Sequence, residues 1–306
     1  MIEKNKVKNM ENTIKETKEN DEQRAMISSA GSLKELEDLV KISGAGTISE
    51  GVIPKFVRIA GSGKITGNFK CNGIKTSGSL KGEGSLTSLG TVRSSGSFGL
   101  AGGLVSEASA RFSGSAIVGQ DANILGFVKS SGSFKVGGDF TGSSDAKFSG
   151  SAKIEGETTV QGFTKVSGSL KVGQNLQSNE GIKISGSTGV GGNLLSQRDV
   201  AVLGAAKVKG NLVGENVLLG FTGWKKWINL RHRRRDLYEV GGSLFAKNNV
   251  DVRNTSVKGD IKGYDVYVGR RSEVSGTIYY VNSLRVKRSA KLTSEPIRIK
   301  PEELKL

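Results

Sequence analysis

The tripeptide Ser-Gly-Ser ends at Ser79, Ser97, Ser115, Ser133, Ser151, Ser169 and Ser187, always 18 residues apart. Few folds accommodate so strict a spacing. A finer period of six runs beneath it. Stepping by six from Leu80 to Leu218, and again from Gly82 to Gly220, gives two columns of small, hydroxyl-bearing or apolar residues without a single charge. Gly most often stands two residues before the first column, so the unit is G-x-φ-x-φ-x, with φ small or apolar.

Residues i and i+2 share one face of a strand. One unit therefore reads as a short strand with two inward residues, followed by a bend, and three units close a coil of 18. A coil of this kind buries its inner face only by stacking on its neighbours, which is the logic of a β-solenoid. An amphipathic helix would need apolar residues at i+3 and i+4, which are not systematic here. A sandwich of hairpins has no reason to keep a period of 18. Glycine at the bends is expected to supply backbone conformations that strain other residues. The inward columns also exchange bulk between successive coils. Ser94 and Phe98 are followed by Phe112 and Ala116, then Ser130 and Phe134, then Phe148 and Ala152. Such alternation suits a narrow, close-packed core.

The predicted fold is all-β: a single-domain parallel β-helix with about 18 residues and three short strands per coil, in 12 to 13 coils. Residues 1–41 read as a disordered or partly helical tail. The first 25 residues balance six acids against six bases and lack the apolar segment of a signal peptide. Ser32 could cap a short helix with Glu35 returning the bond. That helix would either cover the first coil or form a solvent-facing turn. Coils run over 42–220, irregularly at first. There the pairs Val57 and Ile59, Ile65 and Gly67, Phe69 and Cys71, and Ile74 and Thr76 are expected to point inward. Cys71, the one cysteine, reads as a small buried hydrophobe. The repeat stops over 221–239, which read FTGWKKWINLRHRRRDLYE. It resumes over 240–300 with Gly242, Gly259 and Gly276 spaced 17 apart, and 301–306 is a short tail.

The six-residue period also describes the left-handed β-helix of hexapeptide acyltransferases. In those enzymes Gly directly follows the large aliphatic residue; here it comes two residues before the inward one, as in Gly168-Ser169-Leu170-Lys171-Val172. A different resemblance fits better. The segment Gly259-Asp260-Ile261-Lys262-Gly263-Tyr264-Asp265-Val266-Tyr267-Val268-Gly269, with Val274-Ser275-Gly276-Thr277-Ile278 and the repeated Ser-Gly-Ser units, resembles the bactofilins, a polymer-forming cytoskeletal family. The likeness covers roughly residues 42–300. It implies a right-handed helix that polymerises end to end without nucleotide, in the cytoplasm and on the inner face of the cell membrane. The chain departs from the family in having more coils, a long basic insert and no short apolar N-terminal peptide.

Chemistry-bearing motifs are scarce. There is no Cys/His cluster for zinc and no phosphate-binding loop of the G-x-x-x-x-G-K-[ST] form. The sole histidine, His232, lies within the basic insert. Asp236 and Glu239 flank arginines, which reads as salt pairing rather than acid–base chemistry. The expectation is a non-enzyme with no catalytic, cofactor or metal site and no small-molecule substrate. Its first expected partner is itself. Ile42, Val57 and Ile59 at one end and Leu284, Val286 and Leu292 at the other are the candidate polymerisation contacts. The net charge is +16, and residues 221–306 carry 19 Lys and Arg against nine Asp and Glu. Within the insert, Trp224, Trp227 and Ile228 would share one face of a helix. Lys225, Lys226, Arg231, Arg233, Arg234 and Arg235 supply its cations. These nine residues form a candidate contact for an anionic membrane surface, favoured by the tryptophans. Nucleic acid is a less favoured partner, and packing against the solenoid wall is the third option. The alternative function is a non-polymerising binding module that holds nucleic acid or an acidic protein through this insert.

Overall fold

A computed structural model describes residues 23–220 and 238–304. Throughout the regular region, each strand pairs in parallel with the strand three further along the chain, so three strands make one coil and the coils stack into a three-sided β-solenoid. There are about 14 turns, roughly 18 residues apart. At ~4.8 Å per coil the rod is about 65 Å long. The only helical element among the described residues is a 3-10 turn, Pro301–Glu303.

One coil illustrates the rest. Leu104–Ser106 lies on the first face, Ala110–Phe112 on the second and Ala116–Val118 on the third. In each, the outer two residues point inward and the middle one points out. The two six-residue columns are buried as expected from Leu80 through Gly214. They then slip. Val200 pairs with Val217 and Val202 with Leu219, so Val217 and Leu219 face the core where Leu218 and Gly220 were expected. The bend before Val217 is one residue shorter, which moves the inward positions of this strand back by one.

The exchange of bulk is realised in the register. Ser94, Phe112, Ser130 and Phe148 stack on the second face, and Phe98, Ala116, Phe134 and Ala152 on the third. Each ring leans over the small residue of the neighbouring coil and meets a ring from the other face. Successive centroids lie 5.4 Å (Phe98–Phe112), 5.5 Å (Phe112–Phe134) and 5.8 Å (Phe134–Phe148) apart, within the favourable range for aromatic pairs.

The repeat glycines serve a different purpose from the one expected. The Ser-Gly-Ser glycines are not left-handed. At Gly132 an added Cβ would collide with the carbonyl oxygen of Gly114, one coil earlier. Glycine is needed there for close approach. True conformational demand appears at Gly67, with φ 110° at an irregular bend. Consequently Gly63 and Ile65 form the inward pair, opposite Leu80 and Gly82, and Gly67 belongs to the corner. The corner between the third and first faces is held by side chains. Asp121 Oδ1 accepts from the Asp139 N–H at 2.8 Å, and Asp139 Oδ1 from the Glu157 N–H at 2.7 Å. Asn175, Asn193 and Asn211 repeat the contact at 2.8 Å.

The N-terminal end departs most from expectation. Residues 32–40 form no helix. β1 (Ile27–Ser29) runs antiparallel to β4 (Ala45–Ile59), and β2 (Ser32–Glu35) folds back antiparallel on β3 (Leu39–Ser43), which pairs in parallel with β4. β5 (Ser62–Thr76) follows as the next wrap. Alternating Leu33, Lys34 and Glu35 suit an edge strand, and pairing with β3 outweighs the local capping pattern. This segment adds the turn missing from the expected 12 to 13. Residues 1–22 lie outside the described residues. At the other end the 17-residue coils are present: Leu244 pairs with Ile261 and Ile261 with Ile278.

Candidate functional site

The outward residues of the second face distinguish it from the others. In register, Lys34 lies opposite Lys41, Lys41 opposite Arg58, Arg58 opposite Lys75 and Lys75 opposite Arg93. Arg111, Lys129, Lys147, Lys165 and Lys183 continue the row without a break, and Ala201 ends it. Every coil in this stretch thus carries one base in the same place, ~4.8 Å from the next. Most of these side chains are exposed, with Lys75 and Arg111 half-buried. Among the described residues none of them has an ion-pair partner. The Arg111 guanidinium sits 4.3 Å over the Phe127 ring. Acids do occur beside this face: Glu107, Asp145, Glu180 and Asp199 stand at its upstream corner. Asp145 accepts from the Phe163 N–H, and Asp199 from Asn216 Nδ2.

The flanking faces differ. On the third face Lys64, Lys81, Lys135, Lys153, Lys171 and Lys207 are interrupted by Gly99, Ile117 and Gly189. Lys64 pairs with Glu83 at 2.7 Å, Lys207 with Glu239 at 2.9 Å, and Lys153 with Glu155. The missing side chain at Gly189 leaves an open depression of about 430 Å³ bordered by Lys171 and Lys207. The first face presents Thr87, Val105, Asn123, Thr141, Thr159, Gln177, Leu195 and Val213, an uncharged stretch with Lys70 before it and Lys262 two coils beyond it. The Ser-Gly-Ser ridge separates the second and third faces, so its hydroxyls run between two basic rows.

The expected contacts fall as follows. Ile42, Val57 and Ile59 are fully buried inside the monomer, because β1, β2 and β3 cover the coil to which they belong. Leu284 and Leu292 are half-buried against the last of the core, and Val286 is exposed. Trp224, Lys225, Lys226, Trp227, Ile228, Arg231, Arg233, Arg234 and Arg235 lie outside the described residues. The insert is shorter than 221–239, since Tyr238 and Glu239 belong to a solenoid strand opposite Ala206 and Lys207. Tyr238 is buried and donates its hydroxyl to the Leu203 carbonyl at 3.0 Å; burial pushes its pKa up to about 12. The insert leaves after a second-face strand, Val217–Leu219, and returns in a third-face strand, Tyr238–Val240, so its stem stands on the line of the Ser-Gly-Ser ridge.

Cys71 is buried as expected, and desolvation pushes its thiol up to about 11, far from nucleophilic use at neutral pH. Among the described residues no group of three His, Cys, Asp or Glu could hold a metal ion, and no helix is long and apolar enough to cross a membrane. The basic row was readable in the sequence. Stepping by 18 from Arg93 gives Arg, Arg, Lys, Lys, Lys, Lys. The row occupies the outward positions between the two inward columns.

The fold defines the class of this chain, a β-solenoid. Comparison with family models, curated proteins and solved structures finds no match to it.

Proposed function

We propose that this β-solenoid is a non-enzymatic scaffold protein whose copies join end to end. One observation carries the reading. Of the nine large hydrophobics exposed among the described residues, four lie at the two ends: Met26 (54%) and Leu36 (46%) at the N-terminal end, Val286 (39%) and Ile297 (47%) at the C-terminal end. The last strands also leave backbone edges unpaired, which invites strand pairing with another chain. The charge of the ends favours contact of unlike ends. At the N-terminal end Glu35, Glu37 and Asp38 largely offset Arg24, Lys34, Lys41 and Lys55, whereas Arg285, Lys287, Arg288 and Lys291 crowd the last coil, so two C-terminal ends repel each other more than unlike ends do. The resemblance to bactofilins points the same way, and on that resemblance we place the scaffold at the inner membrane surface, with the basic insert as its contact.

A monomeric binding module is the second reading, favoured by the antiparallel strands that close the N-terminal end. Electron microscopy and sedimentation of the purified chain without nucleotide separate the two. Filaments that shorten in Val286→Arg, with an unchanged melting temperature, support end-to-end assembly. A monomer at all concentrations, or filaments indifferent to Val286→Arg and Leu36→Arg together, overturns it.

A further inference from the structure

We propose that the second face binds single-stranded nucleic acid along its row of bases, independently of how copies join. Like charges directly opposite one another destabilise a sheet. Here that opposition is repeated at every coil from Lys34 to Lys183, and among the described residues no carboxylate forms an ion pair with the row, the acids Glu107, Asp145, Glu180 and Asp199 standing only at its corner. The first face shows that the solenoid folds as well with neutral residues in the same place. The repulsion is therefore met from outside, by a polyanion that neutralises the row and releases its condensed counterions.

The shape of the row selects the polyanion. On this face the charges stand in single file, one per ~4.8 Å over about 43 Å. A phosphodiester strand lying along the row can touch every rung. A strand within a duplex winds about its own axis and leaves the line after a few phosphates. A bilayer would engage a broad charged area with inserted apolar groups, but the row has none. The exposed leucines nearest to it, Leu89 and Leu125, stand two coils apart on the upstream corner. That corner also holds Phe127 and Phe163, half-buried and two coils apart, with the Arg111 guanidinium already over Phe127. Such rings offer bases a stacking surface beside a cationic track, the arrangement that suits sequence-tolerant single-strand binding.

The test is anisotropy of a fluorescein-labelled oligothymidylate of about 15 nucleotides, titrated with the full chain at several salt concentrations. One variant replaces Lys129, Lys147, Lys165 and Lys183 with Gln. A charge-matched variant replaces Lys209, Lys247, Lys258 and Lys262 with Gln. The row variant is expected to lose at least about tenfold in affinity and to lower the log–log salt slope by about 3, since each phosphate contact contributes ~0.7 for single strands. The charge-matched variant should lose far less, and a duplex of the same length should bind the parent more weakly. Phosphatidylglycerol vesicles should bind the parent and the row variant alike. Equal losses in the two variants, an unchanged slope in the row variant, tighter binding of the duplex, or loss of vesicle binding by the row variant with the oligonucleotide unaffected would each overturn the proposal. Melting curves confirm that both variants fold, and unaltered sedimentation separates this result from the assembly reading.

Discussion

Thr158–Val160 and Thr164–Val166 are successive strands on neighbouring faces. Their inward residues are the same, Thr then Val, and all four are buried. They differ in the outward residue: Thr159 stands between Thr141 and Gln177, Lys165 between Lys147 and Lys183. The pair separates what the fold requires from what it merely permits. The interior asks every face for the same small or apolar residues. It is indifferent to the outward row, so a run of bases unbroken from Lys34 to Lys183 on one face reports on something other than folding.

Three pairs of substitutions press on that comparison. The largest effect is expected inside. Val166→Asp buries an unpaired charge and should destabilise by several kcal/mol, and Val160→Asp should do the same under the uncharged face. A large difference between the two in chemical denaturation would mean that the faces are not equivalent within. Next come the threonines. The Thr158 and Thr164 hydroxyls are buried without a hydrogen-bond partner. Valine at either keeps the shape and removes the unpaired group, so each should raise stability by roughly 1 kcal/mol. A fall in melting temperature at either would show that the hydroxyl is satisfied in solution. The smallest effect is outside. Lys165→Thr relieves two like-charge neighbours and should stabilise by a few tenths of a kcal/mol at low salt, fading as salt rises. Thr159→Lys should change little. A destabilising Lys165→Thr at low salt would remove the repulsion on which the comparison depends.

Much of the fold was legible in the sequence because a solenoid repeats its constraints. The inward columns and the bulk exchange from Ser94 to Ala152 follow from a period of two within a period of 18, and the even spacing of Gly242, Gly259 and Gly276 marks the 17-residue coils. Local irregularities escaped where one residue decides the outcome. The slip at Val217 depends on one bend, and the Gly67 corner on one left-handed glycine. At 32–40 the strands are masked by a local signal, because Ser32 and Glu35 form a pattern that could cap a short helix. The waiting edge of the first coil is a tertiary partner that no local pattern reveals. For the same reason Ile42, Val57 and Ile59 looked terminal, although further strands cover them. The row of bases lies in the outward positions, which the core does not constrain.

The direction of the hydrogen bonds between coils has a mechanical consequence. They run along the rod, from each coil to the next, as do the Asp and Asn contacts from Asp121 to Ser243. A pull along the axis therefore loads the coils in series, and each transmits the full force. Such a rod resists sideways bending through all three faces at once, yet under tension it yields one coil at a time. At ~3.4 Å per extended residue, each peeled coil pays out about 60 Å of chain, nearly the length of the intact rod. The molecule is stiff while whole and long when it fails.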